Sequence, residues 1–158
     1  MKKLKVGKKY YATVSDEDYI KASRFKWYAH PVKGKIYAKR SIKVFGKWKF
    51  ELLHRFLLNP PAHLVVDHID GDPLNNLRGN LRICTQGQNA TNRIPSKGYA
   101  SSYRGVTYCK QRNKWLAQIK VQQKTWYLGR YEDEEEAALA YDSAAVQAFG
   151  HFAYLNIL

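Results

Sequence analysis

Residues 67–89 read Asp67-His68-Ile69-Asp70-Gly71-Asp72-Pro73-Leu74-Asn75-Asn76-Leu77-Arg78-Gly79-Asn80-Leu81-Arg82-Ile83-Cys84-Thr85-Gln86-Gly87-Gln88-Asn89. The acid and the histidine sit together at the end of a β-forming stretch, Val65-Val66-Asp67-His68-Ile69. Asp70-Gly71-Asp72-Pro73 follows as a turn signal. Asn75, Asn76, Asn80 and Asn89 then fall within 22 residues of Asp67, more asparagine than the turns require. The order predicted is strand, polar loop, polar helix. An isolated Asp-His pair is most simply a surface histidine paired to its neighbour; the asparagines turn the reading towards a site.

Upstream, Leu53-His54-Arg55-Phe56-Leu57-Leu58 is a short apolar helix ending near Pro60-Pro61. Lys35–Arg40 and Trp48–Leu52 alternate or nearly so, each predicting a strand with one wet, basic face. Tyr10–Val14 is a further strand, and Ser15-Asp16-Glu17-Asp18 starts a helix with an N-cap residue and a first turn of acids. This basic first segment reads equally well as a sheet that grips phosphates or as a scaffold for the segment after it.

Downstream, Ile94–Ser102 is rich in Pro, Gly and Ser and is expected to be a linker. Three strands follow: Arg104–Tyr108, Lys114–Val121 and Lys124–Tyr131. Asp133 then caps a helix, with Glu136 placed for a capping box and Glu134 to Glu136 at the positive end of the dipole. Ala137, Tyr141, Ala145 and Phe149 or Ala148 recur on one face, and Gly150 ends the helix. The alanines let such a helix lie close on a sheet.

The bulk composition narrows the function. The chain has 158 residues, 45% of them hydrophobic, enough for folded cores. No apolar run approaches the roughly 20 residues that span a bilayer. Met1-Lys2-Lys3-Leu4-Lys5 is basic with no apolar stretch behind it, so a cytoplasmic protein without membrane partners is expected. Cys84 and Cys109 stand alone, and structural zinc is not expected. The net charge is +14, which points to a polyanion as partner. Residues 1–50 hold most of it, with 15 Lys and Arg against three acids; residues 51–95 hold four against four. From Tyr99 to Tyr131 there are seven bases and no acid, and then Glu132 to Glu136 supplies five acids in a row. The sheet is thus basic and the helix start acidic, which fits equally a sheet that faces the polyanion with the helix behind it and a sheet with a solvated basic face.

The frame from about His54 to Asn92 resembles the HNH endonuclease family, particularly its phage type with free-standing and intron-encoded homing enzymes. Asp-His, Asp-Gly-Asp, Asn-Asn, Asn-Leu-Arg and a late Asn carry the resemblance. It implies a ββα-metal fold in which Asp67 and Asn89 ligate a divalent cation, His68 is the general base, and Asn80 pins the loop. Asn89 stands where the family name has its last histidine, a variant this subtype resembles. The chemistry fits that assignment. A histidine with a pKa of about 6.5 is mostly neutral at pH 7 and accepts a proton from water. A hard cation on a carboxylate and an amide oxygen stabilises the leaving oxygen, and oxygen ligands favour Mg2+ or Mn2+ over zinc. Asp70 and Asp72 are better read as turn residues than as further ligands. His54 is either a phosphate contact beside Arg55 or a packing residue.

The segment from about Ser102 to Leu158 resembles the AP2 domain, known from plant transcription factors, on its Tyr-Arg-Gly-Val, Leu-Gly, Glu-Ala-Ala, Ala-Tyr-Asp and Leu-Asn signatures. That family lays a three-stranded sheet in the major groove with a helix behind. The resemblance implies that Arg104, Trp115, Gln118, Lys120, Trp126 and Tyr127 lie on or beside the DNA face, with Trp115 open to a core reading as well and Arg112 and Lys114 to a role as phosphate contacts alone. Gln118 and Lys120 replace a common Glu and Arg, and Thr107 and Cys109 stand where arginines are frequent. Fewer arginines mean fewer bidentate guanine contacts, so the plant target does not carry over.

The expected architecture is α+β: basic strands over 1–50 leading into a ββα-metal core over about 52–95, a linker over 96–102, and an AP2-like domain over 103–158. The expected function is metal-dependent cleavage of double-stranded DNA, without a small-molecule cofactor, by a homing or mobile-element enzyme encoded by a phage or prophage. The competing expectation is a DNA-binding regulator with an idle HNH fold.

Overall fold

The computed structural model describes residues 1–91 and 100–157. The expected boundary after Pro95 and residues 96–99 of the expected linker lie outside them. The chain is a mixed α+β structure of small sheets and few helices that divides into two compact units, Met1–Asn89 and Ala90–Leu158.

The first unit opens on two antiparallel strands, β1 (Lys2–Val6) and β2 (Tyr10–Val14), paired Leu4 to Ala12 and Val6 to Tyr10. Every second residue points inward, so Leu4, Val6, Ala12 and Val14 are buried while the lysines stay wet. β1 is hard to read from Lys-Lys-Leu-Lys-Val, because only two apolar residues carry its period. Helix α1 (Asp16–Ala22) starts where expected: the Ser15 hydroxyl accepts from the Asp18 N–H at 3.2 Å. Trp27, fully buried, closes this corner by donating its indole N–H to the Ala22 carbonyl at 2.8 Å.

A second sheet holds β3 (Tyr28–Val32), β4 (Lys35–Val44) and β5 (Lys47–Leu52) in antiparallel order. Helix α2 (Leu53–Leu58) follows at once and ends on Asn59 in the left-handed conformation. Leu53 and Leu57 enter the same core as Trp27, together with Val66 and Leu81. Those last two belong to a two-stranded antiparallel ribbon, β6 (Val65–His68) and β8 (Leu81–Cys84). Between them runs β7 (Asn75–Asn76), which pairs in parallel with β2. Helix α3 (Gln86–Thr91) follows β8.

One ion pair ties the start of the unit to this loop. Asp18 is fully buried, and its carboxylate accepts from Arg78 at 2.9 and 2.8 Å and from the Ser15 hydroxyl at 2.8 Å. Burial alone raises its pKa, but the Arg78 and Ser15 hydrogen bonds together outweigh it and hold the carboxyl below its usual range. Removing Arg78 strands a buried charge, whereas its own side chain is half exposed and admits water. Arg78→Ala should therefore destabilise the unit by about 3 kcal/mol, the lower end for a broken buried pair; urea denaturation of the variant measures it.

The second unit is a three-stranded antiparallel sheet, β9 (Val106–Cys109), β10 (Lys114–Val121) and β11 (Lys124–Tyr131), with β10 in the middle, and helix α4 (Glu134–Phe149). Asp133 caps α4 by accepting from the N–H groups of Glu135 and Glu136 at 2.7 and 3.2 Å. Ala137, Ala138, Tyr141 and Ala145 are buried with Val106, Ala117 and Ile119. Asp142, also buried, accepts the N–H groups of Asn156 and Ile157. The Asn156 amide in turn bridges the Arg104 N–H at 2.6 Å and carbonyl at 3.1 Å. The end of the described chain is thereby fastened to the strand entry.

Candidate active site

β6 brings Asp67 and His68 to one end of the ribbon, and β8 sets Arg82 opposite Asp67 and Leu81 opposite His68. Directly opposed residues share a face. Arg82 uses this, placing Nε 3.0 Å and a terminal nitrogen 2.7 Å from Asp67 Oδ2, with both side chains largely buried.

His68 projects into a different environment. Its ring meets the edge of His54 at 5.0 Å between centroids and that of Tyr37 at 6.3 Å. On its other side lies Asn76, fully buried, whose amide nitrogen donates to the Pro73 carbonyl at 3.0 Å. That bond turns Oδ1 towards His68 Nε2, 3.4 Å away. The contact is long for a full hydrogen bond, yet it favours the tautomer with the proton on Nε2 and the lone pair on Nδ1. Burial lowers the His68 pKa, outweighing the upward pull of Asn76 and of Asp70, Asp67 and Asp72. Burial, then His68 and Arg55, push His54 down to about 3. Both imidazoles are therefore neutral at pH 7.

The loop from 70 to 80 is held by its own polar groups. Asn80 donates to the Asp70 carboxylate at 2.9 Å and to the Asn75 carbonyl at 2.8 Å, and accepts from the Asp70 N–H at 3.1 Å. Asp70 also accepts from Asn75 at 2.7 Å and from the Asp72 N–H at 2.9 Å. Burial raises the Asp70 carboxyl, but these donors more than compensate and keep it below the ordinary range. Asp70 and Asp72 thus act as turn residues, and Asn80 staples the loop to the end of β6 through the Ile69 N–H, which donates to its carbonyl at 2.9 Å. Asp67, His68 and Asn80 are brought into one neighbourhood. Asn89 sits half-buried in α3, its N–H on the Thr85 carbonyl at 3.0 Å, and no hydrogen bond among the described residues joins it to the other three.

Residues 59–91 match the HNH endonuclease family and residues 101–151 the AP2 domain. An uncharacterised HNH endonuclease of Acanthamoeba polyphaga mimivirus is 32% identical over 160 aligned residues, covering 95% of this chain and 76% of the viral protein. The chain belongs to the HNH endonuclease family. Protein 3.8 of Escherichia phage T7 is 33% identical over 64 residues, 40% of the chain and 53% of that protein. An ethylene-responsive transcription factor of Arabidopsis thaliana is 37% identical over 101 residues, 59% of each chain. Against the last two, the chain spans little more than half of each relative.

HNH enzymes imply a divalent metal, and the donors here suit a hard one. The carboxylate of Asp67 and the amide oxygen of Asn89 would offer oxygen donors, of the kind Mg2+ takes together with several waters. Among the described residues no three His, Cys, Asp or Glu gather as a metal-binding group. Among them, too, no helix is long and apolar enough to cross a membrane.

In the AP2 domain the register sorts the eight residues expected on the DNA side. Lys114, Gln118, Lys120 and Tyr127 share the face turned away from α4, with Gln118 opposite Tyr127. Trp115 does not belong to it: it has the parity of Ala117 and Ile119, stacks on Tyr108 at 4.9 Å and packs on the core under α4. Trp126 pairs with Ile119 and so lies on the α4 side of the sheet, although 59% exposed. The alternation was visible in the sequence, but a tryptophan fits either face, and only the parity of small Ala117 decides it. Arg104 enters β9 with its backbone clamped by Asn156, Arg112 is exposed in the β9–β10 turn, and Lys114 pairs with Glu132 at 2.7 Å.

Asn76, Arg82 and Tyr37 are site residues that the sequence does not single out, and His54, read there as a phosphate contact or a packing residue, is buried against His68. Asn76 lies between Asp67 and Asn89 in the chain, but nothing in an Asn-Asn pair says which member is buried. The two neutral histidines carry a prediction. An unfolded chain binds protons on both below about pH 6.5, whereas in the folded chain burial holds His54 neutral down to about pH 3 and moves proton uptake by His68 to lower pH, so stability should fall as pH drops, with His54 contributing up to about 1.4 kcal/mol per pH unit. Asp18 acts in the same sense but in a lower window, losing its contribution only as pH falls below the ordinary carboxylate range. Thermal midpoints between pH 7 and 5 measure the slope, and His54→Gln should reduce it.

Proposed function

We propose that this protein is a metal-dependent endonuclease that hydrolyses phosphodiester bonds in double-stranded DNA and is placed on the duplex by its AP2 domain. The observation that carries the proposal is a buried, neutral His68 positioned by Asn76 next to Asp67, in a chain of the HNH endonuclease family. His68 takes the proton of the attacking water on Nδ1. Asp67 and Asn89 hold the cation, Mg2+ or Mn2+, which when bound stabilises charge on the phosphate and the departing oxygen. Asn80 keeps the loop in register. Outside this centre, Gln118, Lys120 and Tyr127 face the groove, while Arg104, Arg112 and Lys114 contact the backbone. One such centre per chain favours cutting one strand at a time, as a homing or mobile-element enzyme of a phage-infected or lysogenic cell.

Plasmid nicking tests the reading: relaxation of supercoiled DNA with Mg2+ or Mn2+ and none in EDTA. Asp67→Ala should abolish nicking and leave DNA affinity largely intact, and cutting by that variant would overturn the ligand assignment. The second reading, a regulator with an idle HNH fold, draws on the Arg82 guanidinium already seated on Asp67. It is favoured if the wild-type protein binds duplex and never cuts it.

A further inference from the structure

We propose that the sheet β3–β4–β5 carries a second surface for duplex DNA, on the face bearing Lys39, Lys43, Trp48 and Phe50 with Phe45 at its tip. The inference rests on the endonuclease reading and adds a contact beside the cut, separate from the AP2 sheet.

The pairing defines the face. Ser41 opposes Phe50, Lys43 opposes Trp48 and Lys39 opposes Leu52, while Arg40 opposes Glu51 and Ile42 opposes Lys49 on the reverse side. The reverse side is occupied inward of the ribbon's end. Ala38 is buried, and Arg40 stacks on Phe25 and Phe56 at 3.9 and 4.1 Å while pairing with Glu51. The obverse is open: Trp48 is 72% and Phe50 57% exposed. Phe45, 101% exposed, adds a backbone cost. It turns the β4–β5 hairpin with φ +47° ahead of Gly46 at +77°, a conformation in which asparagine is easy and a bulky residue is strained. A phenylalanine there improves neither the turn nor solubility, so its ring is left as the feature with a use.

Charge chooses the occupant. From Lys33 to Lys49 there are seven bases and no acid. Lys39 lies over the Phe50 ring at 5.3 Å, and His30 stands 5.4 Å from the same ring. Cations interleaved with rings repel a second copy of the same face and attract phosphates and bases. An exposed two-stranded ribbon has the width the major groove admits. The face also leads to the proposed centre: Tyr37, paired with His30 in register, meets His54 at 6.0 Å and His68 at 6.3 Å. DNA seated here lies next to the base that activates water.

The test uses the full chain in EDTA, where cleavage does not compete, and a fluorescent duplex of about 30 base pairs, long enough for both surfaces. Phe45→Asn/Trp48→Thr keeps the turn and strand favourable, and Lys39→Gln/Lys43→Gln removes two charges. Each pair should weaken duplex binding by about tenfold, with thermal midpoints no lower than that of the wild type. The lysine pair should also reduce the slope of log affinity against log salt by about 1.8, and the aromatic pair should leave it alone. Wild-type affinity and slope in both variants overturn the inference, as does single-stranded RNA displacing the duplex at lower concentration than duplex itself. Wild-type nicking in Mg2+ is scored separately. Cutting with unaffected variants rejects this surface alone. Absence of cutting with weakened variants rejects the endonuclease reading and keeps the surface.

Discussion

His68→Ala should slow metal-dependent plasmid nicking by at least about 100-fold, the lower range for loss of a general base. Duplex affinity should stay near the wild-type value, because His68 is 6% exposed and offers little surface to DNA. The size of the loss follows from how the ring is held. His54 and Tyr37 wall it, Asn76 faces Nε2, and burial keeps it unprotonated at neutral pH. No neighbour substitutes for it: His54, 5.0 Å away between centroids, is itself buried among Tyr37 and His68. Asn76→Ala should lower the turnover rate less and without a change in affinity, since it frees the ring to turn rather than removing it. Equal nicking by wild type and His68→Ala would refute the role. Initial rates on supercoiled plasmid, with Kd measured on the same preparation in EDTA, separate the two effects.

Gly105→Ala should unfold the second unit or destabilise it by about 4 kcal/mol, the exceptional end for a single substitution. Two costs act together. Gly105 sits at φ +74°, where a Cβ is strained. The added carbon would also stand 2.2 Å from Cδ2 of Tyr141 and 2.5 Å from the Gln118 carbonyl oxygen. The ring has little room, being buried between α4 and β10, and the carbonyl is backbone. Relief of the clash must lift the helix from the sheet. Since Gln118 is one of the residues facing away from α4, sequence preference should vanish with the fold. Circular dichroism of the variant and a gel shift on duplex DNA test both parts; a wild-type melting profile would show that the close approach is dispensable.

The second unit was the more legible of the two. Lys114–Val121 and Lys124–Tyr131 are strands at the residues expected, because both are rich in β-formers, the first alternates over most of its length and the intervening turn is polar. α4 starts where Asp133 caps it. β9 begins two residues later than expected, at Val106, since Gly105 breaks the strand to approach Tyr141. In the first unit the local signals were weaker. β3 contains Pro31, and β8 is four residues with one arginine and no alternation to speak of, so the polar loop was expected to pass straight into helix. Asp67, His68 and Asn80 could be named from spacing and resemblance, yet their partners could not. Asn76 is buried because β7 pairs with β2, and Arg82 meets Asp67 because β8 pairs with β6; both are facts of tertiary pairing.

The strand pair β2–β7 and the Asp18–Arg78 bridge join segments about 60 residues apart, whereas the sheet of the second unit is built from neighbouring hairpins and packs on the helix that follows. Folding rate falls as contacts become less local, because the intervening chain must be closed before they form. In a refolding experiment the C-terminal sheet should thus gain protection from hydrogen exchange first. The Asn75–Asn80 loop, with the imidazole it orients, should be ordered last. A molecule caught midway would already grip a duplex while having no means to break it.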